Sequence, residues 1–279
     1  MSCTRRDWLF EAGVMVGCLS CHPLLGAIAA PAKIRVGVQL YSVRREAAKD
    51  LPRVLAVIRE MGYEGVEFAG YYGHEAKAIR KMLDDTGLVC CGSHTPWESL
   101  QADKLPGTIE FNQSLGNKYL ICPWLSEKLL SPREKAIETA KLFNDLAAKV
   151  KEHGMLVGYH AHGHDFKKLD GETAWEVFFS HTVPDVVMQM DVGNCLAGGG
   201  DPYVILEKFP GRSKTIHLKE HGGPPGSVVG EGTVDWGRIF RICETIGGTE
   251  WYIVEEESSP DTPMEAIRRS RENLRKMGR

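Results

Sequence analysis

The chain lacks most of the devices that stabilise a protein from outside its core. No CxxC pair occurs beyond residue 21, and the eight cysteines are scattered: Cys3, Cys18, Cys21, Cys90, Cys91, Cys122, Cys195 and Cys243. Neither a zinc ribbon nor a disulfide framework follows from that spacing. Positive charge is not in excess. The 34 Lys and Arg stand against 37 Asp and Glu, leaving a net −3, so there is no electrostatic basis for binding nucleic acid or an anionic membrane. Long apolar runs are missing too. The most apolar stretch, residues 12–30, is broken by Ser20, His22 and Pro23 and does not suit a membrane span. No glycine-rich turn follows the first apolar segment in "VGVQLYSVRRE", which argues against an open dinucleotide-binding sheet. What remains is 279 residues at 43% hydrophobic content, enough for one large domain with an unaided core.

The first residues read as an address. In "TRRDWLFEAGVMVGCLSCHPLLGAIAAPAK", Arg5 and Arg6 precede Trp8 and Leu9, close to a twin-arginine pattern with Trp where Phe is usual. A weakly apolar stretch follows, then Ala27-Ile28-Ala29 as a small-residue cleavage site. The expectation is a twin-arginine-type signal peptide over 1–30, periplasmic or exported localisation, and a catalytic domain over 31–279. Lipid anchoring at Cys18 or Cys21 is disfavoured, because neither has Leu three positions earlier. Cleavage would remove Arg5, Arg6, Asp7 and Glu11 and leave the net charge unchanged.

After Pro31, short apolar or β-branched runs alternate with longer helix-period segments. The runs are "IRVGVQLY" (34–41), "YEGVEF" (63–68), "LVCCGSH" (88–94), "KYLICPW" (118–124), "MLVGYH" (155–160), "VVMQMDV" (186–192), "KTIHLKE" (214–220) and "WYIVEEE" (251–257). Helical segments between them end in glycine where a C-cap needs one, as at Gly62 and Gly154. "SPREKA" (131–136) opens one with Ser as N-cap and Pro at the first helical position. Eight β-then-α units without a linker-like stretch predict a single (β/α)8 TIM barrel.

In such barrels the chemistry sits where strands end. The strand ends here carry Gln39 and Tyr41, Glu67, His94, His160 and His162, Asp191, His217 and Lys219, and Glu255 to Glu257. An ionisable group at such a place costs stability unless it is paired or bound. Singly each has an ordinary explanation. Jointly, four successive strands each bring one N or O donor to one rim: His160, Asp191, His217 and Glu255. Two imidazoles and two carboxylates suit a divalent first-row metal, with Mn²⁺ the first expectation and Zn²⁺, Co²⁺ or Fe²⁺ also suited, better than Ca²⁺ or Mg²⁺. The alternate spacing in "YHAHGH" would put His160, His162 and His164 on one face of an extended strand; His162 is expected to face the pocket with His160, and His164, further past the strand end, to belong to the loop. Trp97 and Trp124, just past strand ends, are placed either to stack on a sugar ring or to pack in the core. The glycine-rich start of "HGGPPGSVVGEGTVDW" (221–236) reads as a mobile lid.

These motifs also carry a resemblance. "VGVQLYSVR" (36–44), "MGYEGVEFAGYYG" (61–73), "YHAH" (159–162), "MDVGN" (190–194), "DPYVILEKFPGRSKTIHLKE" (201–220), "VGEGTVDW" (229–236) and "YIVEEE" (252–257) resemble the sugar phosphate isomerase/epimerase family of xylose isomerase-like barrels. That family includes tagatose and psicose 3-epimerases and inosose dehydratase. The resemblance implies metal binding by Asp191, His217 and Glu255, with His160 standing where the epimerases carry a glutamate. Those paired glutamates are an epimerase's acid and base, so the exchange changes the proton chemistry. A histidine-containing branch resembles lyases and hydratases acting on 3-keto-glycosides.

The reading that follows is a metal-dependent sugar isomerase or epimerase, which abstracts a proton beside a carbonyl and stabilises the enediolate. Glu255 is the expected base, and His160, His94 or His162 the acid. Lys219 either polarises a substrate oxygen or pairs with Glu220 or another acid. Gln39, Glu67, His94, His162 and Trp124 are expected to contact substrate, Glu67 alternatively orienting a ligand histidine. The alternative is a metal-dependent lyase or hydratase working by β-elimination on 3-keto-glycosides. A more distant one is a non-catalytic periplasmic sugar-binding barrel. A related DNA-repair endonuclease would need a multi-zinc cluster and a basic surface, and the sequence has neither. The expected partner is a small carbohydrate, the chain itself a possible homo-oligomer.

Overall fold

The computed structural model describes residues 33–257 and 262–279, so the expected signal segment lies outside the described residues. Each of the eight apolar runs contains one strand. They are β1 Arg35–Gln39, β2 Gly65–Phe68, β3 Val89–His94, β4 Tyr119–Cys122, β5 Leu156–His160, β6 Val187–Gln189, β7 Thr215–Leu218 and β8 Trp251–Val254. All neighbours pair in parallel, in the spatial order β6-β5-β4-β3-β2-β1-β8-β7. The two free edges meet at one parallel bridge between Asp191 and His217, which brings the sheet round into a near-closed barrel. Helices follow the strands on the outside, as the (β/α)8 expectation requires. A short hairpin, Lys168–Leu169 with Glu172–Thr173, is an addition to that plan. Among the described residues, no helix is long and apolar enough to cross a membrane.

The strands are buried on both faces, which is why they read as continuous apolar runs rather than alternating ones. Their inward positions form two layers. The lower is apolar: Cys91, Tyr119, Ile121, Val187, Trp251 and Ile253 pack into one cluster. Trp251 fills so much of this floor that a Cβ at Gly65 would lie 2.9 Å from its ring. One step further along each strand the inward residues turn polar. Gln39 pairs in register with Glu67, and His160 with Gln189. The barrel therefore changes from an apolar plug to a polar rim within a single pleat.

Local signals set the helix ends. Helix Leu51–Glu60 starts on Asp50, whose carboxylate accepts from Arg53 N at 3.1 Å, and is followed by Gly62 at φ 86°. Helix Arg133–Lys151 begins one residue later than expected, with Pro132 rather than Ser131 at its N-cap. The later part of the 221–236 stretch is anchored to the barrel, whereas its glycine-rich start, residues 222–225, is exposed. The Glu220 carboxylate accepts from Gly230 N at 2.7 Å and Trp236 Nε1 at 2.8 Å, while Asn273 Nδ2 donates to Val229 O at 3.0 Å. These bonds tie that later part down, and Val228 and Val229 are buried.

Because Trp251 closes the barrel floor and opens β8, the strand that Glu255 follows, Trp251→Ala leaves a large void beneath the polar rim. The expected loss is about 3–5 kcal/mol in urea unfolding. A loss under about 1 kcal/mol would show that the floor collapses freely and does not support the rim.

Candidate metal centre

His160 ends β5, His217 lies on β7, Asp191 comes two residues after β6, and Glu255 follows β8 directly. Their facing ligand atoms all lie within 4.8 Å of one another, and all four residues are buried. Glu255 Oε2 is 3.2 Å from His217 Nδ1 and 3.8 Å from His160 Nε2. Asp191 Oδ2 is 3.9 Å from His217 Nδ1. Asp191 also caps the following helix, Oδ1 accepting from Asn194 N at 2.7 Å.

The outer nitrogens of both imidazoles are held from below. Gln189 Nε2 donates to Glu67 Oε1 at 2.8 Å and Thr215 Oγ1 at 2.9 Å, so its Oε1 must be an acceptor. His160 Nδ1 donates to that oxygen at 3.0 Å, and His94 Nε2 at 3.1 Å. His217 Nε2 donates to Glu67 Oε2 at 2.6 Å, and Gln39 Nε2 donates to the same oxygen at 2.8 Å. Carboxylates and amides in this position fix the tautomer of a ligating histidine. Both inner nitrogens are thereby aimed at the two acids.

These donors fit a divalent cation. Asp191 Oδ2 is buried without any hydrogen-bond partner, an expensive state for a carboxylate oxygen. The protons respond to the crowding. Burial opposes charge on His217, but Glu67 and Glu255 outweigh it and push the imidazole up to about 10. Burial, with Glu255 adding to it, raises Asp191 to about 7 against the pull of Lys219. Burial opposes charge on Glu255 as well, yet the bond from His217 and the charges of His217 and Lys219 hold it well below the usual carboxylate range. His160 is pushed well below its ordinary value by burial and by His217 and His94.

A cleft of about 970 Å³ opens above this cluster. Of the four candidate ligands, His160 and Glu255 line it, whereas Asp191 and His217 do not. His94, His162, Trp124 and Glu257 also line it. His162 meets the Trp124 ring edge-on at 4.7 Å, and its Nδ1 is buried without a partner. Burial lowers His162 to about 4, so it is neutral at ordinary pH. Trp124 is 52% exposed at the mouth.

Several expected roles change. Gln39 and Glu67 are fully buried and absent from the cleft wall, because the register places them under the ligand histidines rather than over them. Lys219 is not on the wall either. Its ammonium pairs with Glu257 and stands 3.9 Å from Glu255 Oε2, so it neutralises the acids from behind, and Glu220 is occupied elsewhere. Trp97 stacks on Phe143 at 5.5 Å, which makes it core packing. His164 donates to Leu125 O at 3.0 Å and belongs to the loop. One residue of the site was not anticipated. Gln189 sits two positions before Asp191, an amide in an apolar run, and that spacing was the available signal. Asp165, fully buried, accepts from Tyr159 OH at 2.8 Å and His162 N at 2.7 Å, and so fixes the turn that carries His162.

A cation must displace the proton on His217 and meet ionised Asp191. Uptake therefore releases protons and weakens as pH falls through about 7. Calorimetric titration with Mn²⁺ at about pH 8 and about pH 6, in buffers of different ionisation enthalpy, should show tighter binding and net proton release at the higher pH. Equal affinity at both, without proton release, would contradict the assignment of these ligands.

Comparison with known proteins agrees with this architecture. The family model described as xylose isomerase-like TIM barrel matches residues 55–277. The inosose dehydratase of Erwinia tasmaniensis is 24% identical over 267 residues, covering 78% of this chain and 88% of the relative. The rhizopine catabolism protein MocC of Rhizobium meliloti is 23% identical, covering 81% of each. A sugar phosphate isomerase/epimerase from Parabacteroides distasonis superposes with a TM-score of 0.74 at 27% identity, over 88% of this chain and 95% of that one. The IolI protein, solved with a zinc atom, shares the fold at a TM-score of 0.67 and 15% identity, over 86% and 96% of the two chains. The chain belongs to the xylose isomerase-like TIM barrel family.

Proposed function

We propose that this protein is a metal-dependent lyase of the dehydratase type, which removes the proton beside the carbonyl of a keto sugar and expels the group on the next carbon. The observation that carries the proposal is the asymmetry of the cluster. Glu255 is the one carboxylate among the four candidate ligands that also reaches the cleft, and imidazoles of His94, His160 and His162 share the wall with it. His160, Asp191, His217 and Glu255 would hold the metal, Mn²⁺ by first expectation, which supplies positive charge beside the carbonyl oxygen when bound.

Glu255 is ionised, since His217 and Lys219 hold it in that form despite burial, and it takes the proton from carbon. The departing oxygen needs a proton, and the one Glu255 has just taken is at hand. One carboxylate therefore completes an elimination. Epimerisation needs a second group able to return a proton to the opposite face; where the resemblance puts an epimerase's second glutamate, this chain has His160. His162, neutral through burial, offers an N–H to the departing oxygen. Trp124 supplies an apolar face for the sugar at the mouth. The relatives named inosose dehydratase favour this reading. Isomerisation is the second reading, favoured by the name of the Parabacteroides distasonis structure.

The two separate in D₂O. Metal-loaded protein given a 3-keto-glucoside should release the aglycone, and Glu255→Gln should lower that rate by at least about 100-fold. Deuterium incorporation without release would replace elimination by epimerisation, and full activity of the variant would remove Glu255 as the base.

We also propose export through the twin-arginine signal. Arg5→Lys with Arg6→Lys should shift the protein from periplasmic to cytoplasmic fractions. Unchanged fractionation would remove that assignment.

A further inference from the structure

The metal end accounts for only part of the cleft. Its volume, about 970 Å³, is near the top of the range of about 300–1,000 Å³ for pockets that hold drug-sized ligands. A lone monosaccharide would leave most of it open. From His160 and Glu255 the cleft extends past the ends of β2 and β3 to the first turns of helix Leu105–Leu115. Tyr71, Pro96 and Phe111 line this outer part, the rings of Tyr71 and Phe111 lying 4.2 Å apart.

The polar groups beside Tyr71 and Phe111 are bonded to one another or to backbone, while the charged side chains Asp103 and Lys104 line the cleft at its exposed edge. Tyr71 OH donates to Asn112 Oδ1 at 3.1 Å, and Asn112 Nδ2 donates to Thr108 O at 2.8 Å. Thr108 Oγ1 donates to Ser99 O at 2.8 Å, and the Thr95 hydroxyl is 2.9 Å from that of Ser93. A second sugar ring seated against Tyr71 and Phe111 would find its partners there already engaged, and only the edge residues Asp103 and Lys104 could meet its hydroxyls. A flat apolar group would lose nothing and would gain the aromatic faces.

Gly107 points the same way. It is the third residue of helix Leu105–Leu115 and lies on the cleft wall. A Cβ there would meet nothing within 4 Å, so neither a close approach nor a left-handed backbone requires it. What the residue provides is room in the cleft.

We propose that the outer cleft is a subsite for a planar apolar substituent, the aromatic aglycone of a glycoside whose sugar lies at the metal end. The sugar's position rests on the proposed function above, but the subsite is tested by binding alone. para-Nitrophenyl β-glucoside and methyl β-glucoside are titrated calorimetrically into the Mn²⁺-loaded protein. The aryl glycoside should bind at least about 10-fold more tightly. Gly107→Leu should erase that preference while leaving the methyl glucoside and Mn²⁺ titrations unchanged. Phe111→Ala, which opens the slot instead of filling it, should weaken the aryl ligand only. Equal affinities in the wild type, or a preference that survives both substitutions, would overturn the subsite. An aryl preference without turnover of any 3-keto-glycoside would keep the subsite and remove the lyase; turnover without the preference would do the reverse.

Discussion

A buried line of alternating charge, Glu67 to His217 to Glu255, supports everything else in the site. Neither Glu67 nor His217 has any exposed surface, and charges so placed are tolerated only when paired and hydrogen-bonded. His217 meets Glu67 at 2.6 Å on one side and Glu255 at 3.2 Å on the other, so three strands are tied across the barrel by one imidazole. The same histidine completes the barrel. Between β6 and β7 the closing contact is the Asp191–His217 bridge, and those two residues are also candidate ligands. Seam and site are one structure, which couples folding of the rim to what occupies it.

Division of labour follows from depth. Gln39, Glu67 and Gln189 form a floor of hydrogen bonds that sets both imidazoles, and none of them lines the cleft. Asp191 and His217 occupy the middle, and His160 and Glu255 face outward. The proposed elimination, whose two proton transfers share one base, draws on Glu255, the one candidate-ligand carboxylate on that wall. Lys219 behind that carboxylate keeps the acids from repelling one another without entering the cleft.

Much of this was legible in the sequence, for physical reasons. Strands buried on both faces must be apolar throughout, so eight such runs separated by helical segments determine a closed barrel. Ionisable residues at their ends stand out because burial penalises them, and that contrast found His160, Asp191, His217 and Glu255. What the pattern does not carry is depth. Gln39 and Glu67 sit at strand ends as His94 does, yet the register sinks them below the ligands, and only three-dimensional pairing distinguishes these cases. Lys219 shares an inward parity with His217 but reaches a partner 38 residues away, Glu257, instead of its neighbour Glu220. The apolar slot was equally invisible, since Tyr71 follows β2 while Phe111 and Asn112 lie on helix Leu105–Leu115 of the next unit, and all look like ordinary core and helix residues.

The central claim is that Asp191, His217, His160 and Glu255 close around one divalent cation. Elemental analysis of protein purified without chelators, beside an Asp191→Ala variant of equal fold content, addresses it most directly. The account predicts about one first-row metal ion per chain in the wild type and none in the variant. Metal-free wild type that does not take up Mn²⁺ or Zn²⁺, or full metal content in the variant, would contradict it.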